Sequence, residues 1–218
     1  MRNIYFRHIE FWSKDNARLF LGSVLFFIVA LFLQHFSYNY IDNRVVGTHV
    51  GDLLLDNLPI VNLDIFIVQG ALFLSLVTLF LLLANPRYLP FAIKTLALFI
   101  IIRSGFISLT HLGENLHQIT LNIDGVGGGI YDFLYNAKND FFFSGHVGAT
   151  FLFGLIFWNK KFWRNFFFFA SCVFGVSMIL AHMHYSIDVF AAPFITYGIF
   201  VISKKLFGRD YQLINNKV

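Results

Sequence analysis

The sequence predicts an all-α fold, an integral membrane bundle of six transmembrane helices, and three observations carry that prediction. The chain is 57% hydrophobic and only 13% charged, with a mean hydropathy of +0.68, against roughly 45–50% apolar residues in soluble domains. Phenylalanine supplies 30 of the 218 residues. A soluble fold of this size could hardly bury them, whereas helices facing lipid carry them at no aqueous cost. The apolar residues also gather into runs close to the ~20 residues that cross a bilayer.

Six such runs are present: Leu19 to Phe36, Ile60 to Ala84, Phe91 to Thr110, Phe141 to Trp158, Phe166 to Ala181 and Ile187 to Ile202. The first follows Arg2, Arg7, Lys14 and Arg18. It is expected to stay as an uncleaved span, because the SYNYIDN segment after Phe36 lacks a small-x-small cleavage pattern. Asn85-Pro86-Arg87 with Pro90 marks a short turn between the second and third spans, since proline removes a backbone donor and disfavours helix before it. Residues 111 to 140 form the long interruption, with a flexible GVGGG run at 125 to 129 and the acids Glu114, Asp124, Asp132 and Asp140. The fifth and sixth spans meet in a tight connection around HMHYS. With no internal repeat and no soluble segment, residues 1–218 read as one membrane domain.

Six spans put twelve of the 16 basic residues on one side: those of the N-terminus, Arg87, the Lys160, Lys161 and Arg164 turn, and Lys204, Lys205, Arg209 and Lys217. By the positive-inside rule that side is the cytoplasm, so both termini are expected there. This clustering explains the net charge of +4 as topology encoding and excludes nucleic acid as a partner. Cys172 is the single cysteine, which excludes an intrachain disulfide and a cysteine zinc site. No cofactor is implied. The same topology brings the Ser144-Gly145-His146 segment, the end of the third span after Arg103, and the HMHYSID turn to the non-cytoplasmic face.

Ionisable groups in or beside membrane spans cost about 2.5–3.5 kcal/mol at a helix centre on insertion scales, so each needs a reason. His184 and Asp188 are four residues apart and share one helical face. A carboxylate at one ring nitrogen holds an imidazole in a single tautomer and leaves the other nitrogen a competent nucleophile or base. A second imidazole, His146, is suited to protonating a leaving oxygen, and Ser144 and Gly145 at a helix start offer backbone donors to a phosphate. Arg103 supplies fixed positive charge. The bland alternative is helix-packing polar residues. The sharper rival is a metal held by His146, His182, His184 and Asp188, but His182 and His184 differ by two positions and point to different faces of a regular helix. No metal is expected.

NDFFFSGHVGAT resembles the Ser-Gly-His motif of type 2 phosphatidic acid phosphatases and, more closely, of sphingomyelin synthases. AHMHYSIDV resembles the Ala-His-x-His-Tyr-Thr-x-Asp-Val motif of the latter, with Ser186 in place of Thr. RSGFISLTHL, from Arg103, is similar to that family's third-span motif, and GDLLLDNLP at 51 to 59 is weakly similar to its acidic motif. The phosphatases' own first motif, Lys then six residues then Arg-Pro, is absent, since Lys94 and Arg103 are nine apart and Ser104 follows.

The resemblance covers about residues 50 to 207 and implies a phosphohistidine mechanism. In it His184 attacks the head-group phosphorus of a phospholipid donor, Asp188 orients His184, and His146 protonates the departing diacylglycerol oxygen. Ceramide or a similar hydroxyl lipid as acceptor makes the chain a head-group transferase. Water as acceptor makes it a lipid phosphatase or phospholipase C-like hydrolase, and one site can run both. The alternative class is a non-enzymatic transporter or scaffold, which predicts indifference to His184→Ala. Head group, acceptor and oligomeric state stay open.

Overall fold

The computed structural model describes residues 4–44, 47–113, 115, 118–135 and 141–215. Arg2, Glu114, Asp140 and Lys217 of the charge reading, and the Asn139-Asp140 start of the Ser-Gly-His segment, lie outside the described residues. The helices are α1 (Ile4–Phe11), α2 (Lys14–Arg44), α3 (Asp64–Ala84), α4 (Leu89–Leu109), α5 (Gly125–Tyr135), α6 (Gly145–Ile156), α7 (Lys161–Leu180), α8 (Ser186–Leu206) and α9 (Gly208–Asn215). Among the described residues there is no strand, only an isolated bridge between Thr48 and Leu112.

Five helices are long and apolar enough to cross a membrane: Lys14–Asn43, Asp64–Ala84, Pro86–Leu109, Lys161–Leu180 and Ser186–Leu206. The chain is thus an all-helical, multi-pass membrane protein. The fourth apolar run, Phe141 to Trp158, does not form a span-length helix, because α6 has only 12 residues, about 18 Å at 1.5 Å per residue. Phe141 to Ser144, counted as its first turn by composition, are not helical, and Phe142 takes φ 73°. This stretch is drawn into tertiary contacts instead. The Phe143 carbonyl accepts a hydrogen bond from Arg103 Nε (3.0 Å), and the Ser144 N–H donates to the Asp188 carbonyl (3.0 Å).

Residues 111 to 140 contain a second departure, since the GVGGG run opens helix α5. Gly125 has φ +78° there, and any side chain on Gly128 would collide with the backbone of Ile123. The glycines therefore let α5 fold directly back on the segment before it.

The bundle is built on α4 and α6. Helix α4 packs against α2 and α8, and α6 packs against α7 and α8. The close approach of α6 rests on small residues, as is usual where lipid gives no hydrophobic drive to association. A Cβ on Gly148 would lie 2.9 Å from Phe99 and from Thr196 Oγ1, and one on Gly154 would lie 2.5 Å from Phe168.

At the end carrying the chain termini, α1 caps α3. Arg7 Nη1 donates to the Ala84 carbonyl (3.2 Å) and His8 Nε2 to the Leu83 carbonyl (2.7 Å), which satisfies carbonyls that a helix end leaves unpaired. Beside them Arg87 pairs with Glu10 at 3.4 Å. At the same end Lys94, near the start of α4, donates to both carboxylate oxygens of Asp210 on α9 (2.9 and 2.8 Å).

Candidate functional site

Helix α8 begins one residue after Tyr185, and its first turn is capped from outside. The Ser186 N–H and hydroxyl both donate to Asp52 Oδ2 (2.7 and 2.9 Å), while Asp52 Oδ1 accepts from the N–H groups of Leu54 and Leu55 (2.9 and 3.2 Å). A carboxylate is favoured at a helix N-terminus, where unpaired N–H groups carry partial positive charge. Burial pushes the Asp52 carboxyl up, but the hydrogen bonds from Ser186, Leu55 and Leu54 outweigh it and hold the group below its ordinary value of 3.8. Tyr185, 2% exposed, anchors the same corner by donating to the Gly113 carbonyl (2.9 Å) and accepting from the Val50 N–H (3.3 Å).

This fixed start presents His184 and Asp188 together. Nδ1 of His184 lies 3.3 Å from Asp188 Oδ2, with His184 8% and Asp188 0% exposed. A buried carboxylate is costly without a partner, and this contact holds the imidazole in one orientation through Nδ1. The other Asp188 oxygen, Oδ1, and Ser144 Oγ are buried without a hydrogen-bond partner among the described residues.

Arg103, 6% exposed, rises from α4 against the N-terminus of α6. A Cβ on Gly145 would lie 3.1 to 3.3 Å from three guanidinium atoms, so the glycine provides the space for the cation. Arg103 is further held by Phe143 and by a 3.5 Å hydrogen bond from Nη1 to Tyr38 Oη. The first N–H groups of α6, the guanidinium and two imidazoles thus converge, an arrangement with the chemistry of an anion site.

His146 takes part through a residue that the sequence reading missed. Its Nε2 is 3.0 Å from the hydroxyl of Tyr131 on α5, and Tyr131 is 2% exposed. The clue was a tyrosine on the hydrophobic helix IYDFLY, hidden by reading its glycine-rich start as loose. Asp52 was legible only as part of the weak acidic motif. Lys94 belongs to the opposite end of α4, paired with Asp210.

His182 stands apart from His184. It holds the left-handed position ending α7, at φ 55°, with its N–H on the Ile179 carbonyl and the Met183 N–H on the Met178 carbonyl, the paired pattern of a helix C-terminus where glycine is usual. Both its ring nitrogens are buried without a hydrogen-bond partner among the described residues. Among those residues no group of three or more His, Cys, Asp or Glu side chains is placed to hold a metal ion.

Arg103, Tyr131, Gly145, His146 and His184 line one end of a cavity of about 430 Å³ between α2, α3, α4, α6 and α7. The rest of its wall is mostly apolar, with Gln34, Ser75, Thr78, Ser104 and Thr150 the main interruptions along the helices. Leu31 on α2 and Leu79 on α3 both line it, yet are 43% and 52% exposed. The cavity therefore opens sideways between these helices, onto the apolar surface that lipid covers.

Residues 139–205 match the family model described as PAP2 superfamily C-terminal, which relates this part of the chain to that superfamily. No curated protein and no solved structure matches the chain. The matched segment contains Ser144, Gly145, His146, His184 and Asp188, while Asp52, Arg103 and Tyr131 lie outside it.

Proposed function

We propose that this protein is a membrane lipid phosphotransferase that moves a phosphate-bearing head group from a phospholipid donor to a hydroxyl lipid, in the manner of sphingomyelin synthases, through a phosphohistidine intermediate. The observation that carries the reading is the His184–Asp188 pair at 3.3 Å, opening on the same cavity end as Arg103 and His146. The donor phosphate rests between the Arg103 guanidinium and the first N–H groups of α6 from Gly145 onward, beside Ser144. His184 Nε2 attacks phosphorus and the bond to the diacylglycerol oxygen breaks. His146 gives that oxygen its proton, and Asp188 stabilises the imidazole that has become positive. An acceptor hydroxyl then attacks the phosphohistidine, His146 takes its proton back, and His184 is restored. The match to a superfamily of phosphatases and phosphotransferases favours one second reading, hydrolysis, in which water resolves the same intermediate.

The test is mass spectrometry of lipid products after incubating the purified protein in mixed phospholipid vesicles with and without ceramide, beside His184→Ala. Head-group-bearing ceramide that vanishes in the variant is the expected result. Diacylglycerol or dephosphorylated lipid alone moves the conclusion to hydrolysis, and a product pattern indifferent to His184→Ala overturns both.

The proposed topology has α6 and its flanks as a sixth crossing, both termini in the cytoplasm, and the His146–His184 end facing away from it. Asn122 is exposed in the segment between α4 and α5, so an Asn122→Cys, Cys172→Ser protein should react with an impermeant thiol reagent in intact cells. Protection there, with a cytoplasmic control position labelled, would reverse the assignment.

A further inference from the structure

The cavity continues far beyond the groups that the proposed chemistry uses. On α2 its lining runs from Tyr38 to Phe27, on α3 from Ala71 to Leu82, and on α7 from Met178 to Phe167. Each stretch covers eleven residue steps, about 16 Å at 1.5 Å per residue. That is about half of the ~30 Å hydrocarbon core of a bilayer, the depth of one leaflet. The lining along this length is mostly apolar side chains, which suits a hydrocarbon tail whose carbons touch their neighbours at about 4 Å.

The far end is closed by aromatic rings. Phe153 on α6 and Phe167 on α7 are 5.9 Å apart between centroids, Phe167 stacks on Phe157 at 5.7 Å, and Phe157 meets Tyr88 at 5.1 Å. The polar end holds a cation and the side opens to lipid, so the shape matches a lipid with its phosphate at Arg103, one tail in the cavity, and any second tail leaving past Leu31 and Leu79.

We propose that the cavity is a length ruler for a hydrocarbon tail of the lipid substrate, with Phe153 and Phe167 setting the longest tail accepted. The proposal rests on the lipid-phosphate reading of the site. Selection is by exclusion rather than by attraction, because a tail leaving the bilayer for the cavity exchanges one apolar environment for another. A tail that fits gains little, and one that is too long must buckle against packed rings, a steric cost of the kind that overpacked cores suffer.

The experiment reads bound lipid and not only product. His184→Ala protein is incubated with vesicles holding equal amounts of phosphatidylcholines of graded tail length, purified, and its retained lipid sized by native mass spectrometry. Two further substitutions are made in that background. Phe153→Ala removes part of the floor and should shift the ratio of longest to shortest retained tails roughly tenfold toward long ones. Ala149→Phe blocks the tunnel midway and should shift the ratio as far toward short ones. The opposite signs keep the test decisive if one variant fails to fold. Retained lipid whose length distribution is the same in either folded variant as in the parent overturns the ruler, and so does the absence of retained lipid in the parent. Product turnover in the His184-containing protein is scored separately. A shifted lipid distribution without His184-dependent turnover supports the ruler and removes the phosphotransferase reading, and turnover with unshifted lipid does the reverse.

Discussion

At the residue scale, the contact between Tyr131 and His146 decides how the second imidazole is held. The hydroxyl is 3.0 Å from Nε2, so it fixes the ring and its tautomer, as a partner on a histidine does. Tyr131→Phe keeps the ring that fills the space and deletes the hydrogen bond, with a stability loss of about 1 kcal/mol. If His146 moves a proton in turnover, the rate should fall by roughly tenfold or more, part of the roughly 10²–10⁴-fold that general acid–base catalysis contributes. Thermal unfolding in detergent measured beside lipid turnover separates the two effects. An unchanged rate in a folded variant would remove Tyr131 from the working site. The sequence made His146, His184, Asp188 and Arg103 legible because charged groups in apolar runs stand out. Tyr131 did not stand out, because a tyrosine in an apolar helix carries no cost until its surroundings are known.

At the element scale, the start of α8 depends on a residue 134 positions earlier, Asp52, which takes both the N–H and the hydroxyl of Ser186. This explains why a hydroxyl residue at 186 suffices, since serine and threonine donate alike. The Asp52 carboxyl is held below its ordinary value of 3.8 in the folded chain. A group with a depressed folded value contributes stability that is present above its unfolded value and is lost as pH falls through the folded value. The gap in unfolding stability between the parent and Asp52→Asn should therefore be full near neutral pH and close as pH drops below about 4. Comparing the two by thermal unfolding from neutral to acid pH checks the sign, and a gap that widens in acid would refute the capping account. The element most misread in the sequence is α6. Its apolar run was long enough to cross a bilayer by composition, but Phe141 to Ser144 serve Arg103 and Asp188 instead of extending the helix.

At the scale of the whole molecule, the two ends of the bundle handle charge differently. The site end gathers Arg103, two histidines and Asp188 around a cavity, while the terminal end neutralises Lys94 with Asp210, whose side chains are 14% and 4% exposed. Removing one member of such a buried pair leaves an uncompensated charge and costs roughly 3–5 kcal/mol, whereas replacing both by apolar residues is often neutral. Lys94→Met and Asp210→Leu are each expected to destabilise strongly, and the double variant to recover most of the loss. A thermal-unfolding cycle in detergent measures the coupling, and additive losses would show that the pair is not a unit.

The sequence by itself determined that this chain lives in a membrane, that its long helices run between basic and acidic connections, and which charged residues need a reason to be in lipid. Those are consequences of composition and local spacing, and they hold whatever the packing. Tertiary structure alone decided that the fourth apolar run holds only a short helix, that GVGGG opens a helix bearing Tyr131, that Asp52 caps α8, and that Lys94 serves the far end. It also decided the one-leaflet cavity and its side opening. In uniformly apolar helices every face satisfies the bilayer equally well, so periodicity does not mark which face turns inward. Only the packing of helix on helix, set by glycine contacts and a few buried polar pairs, fixes what lines the space between them.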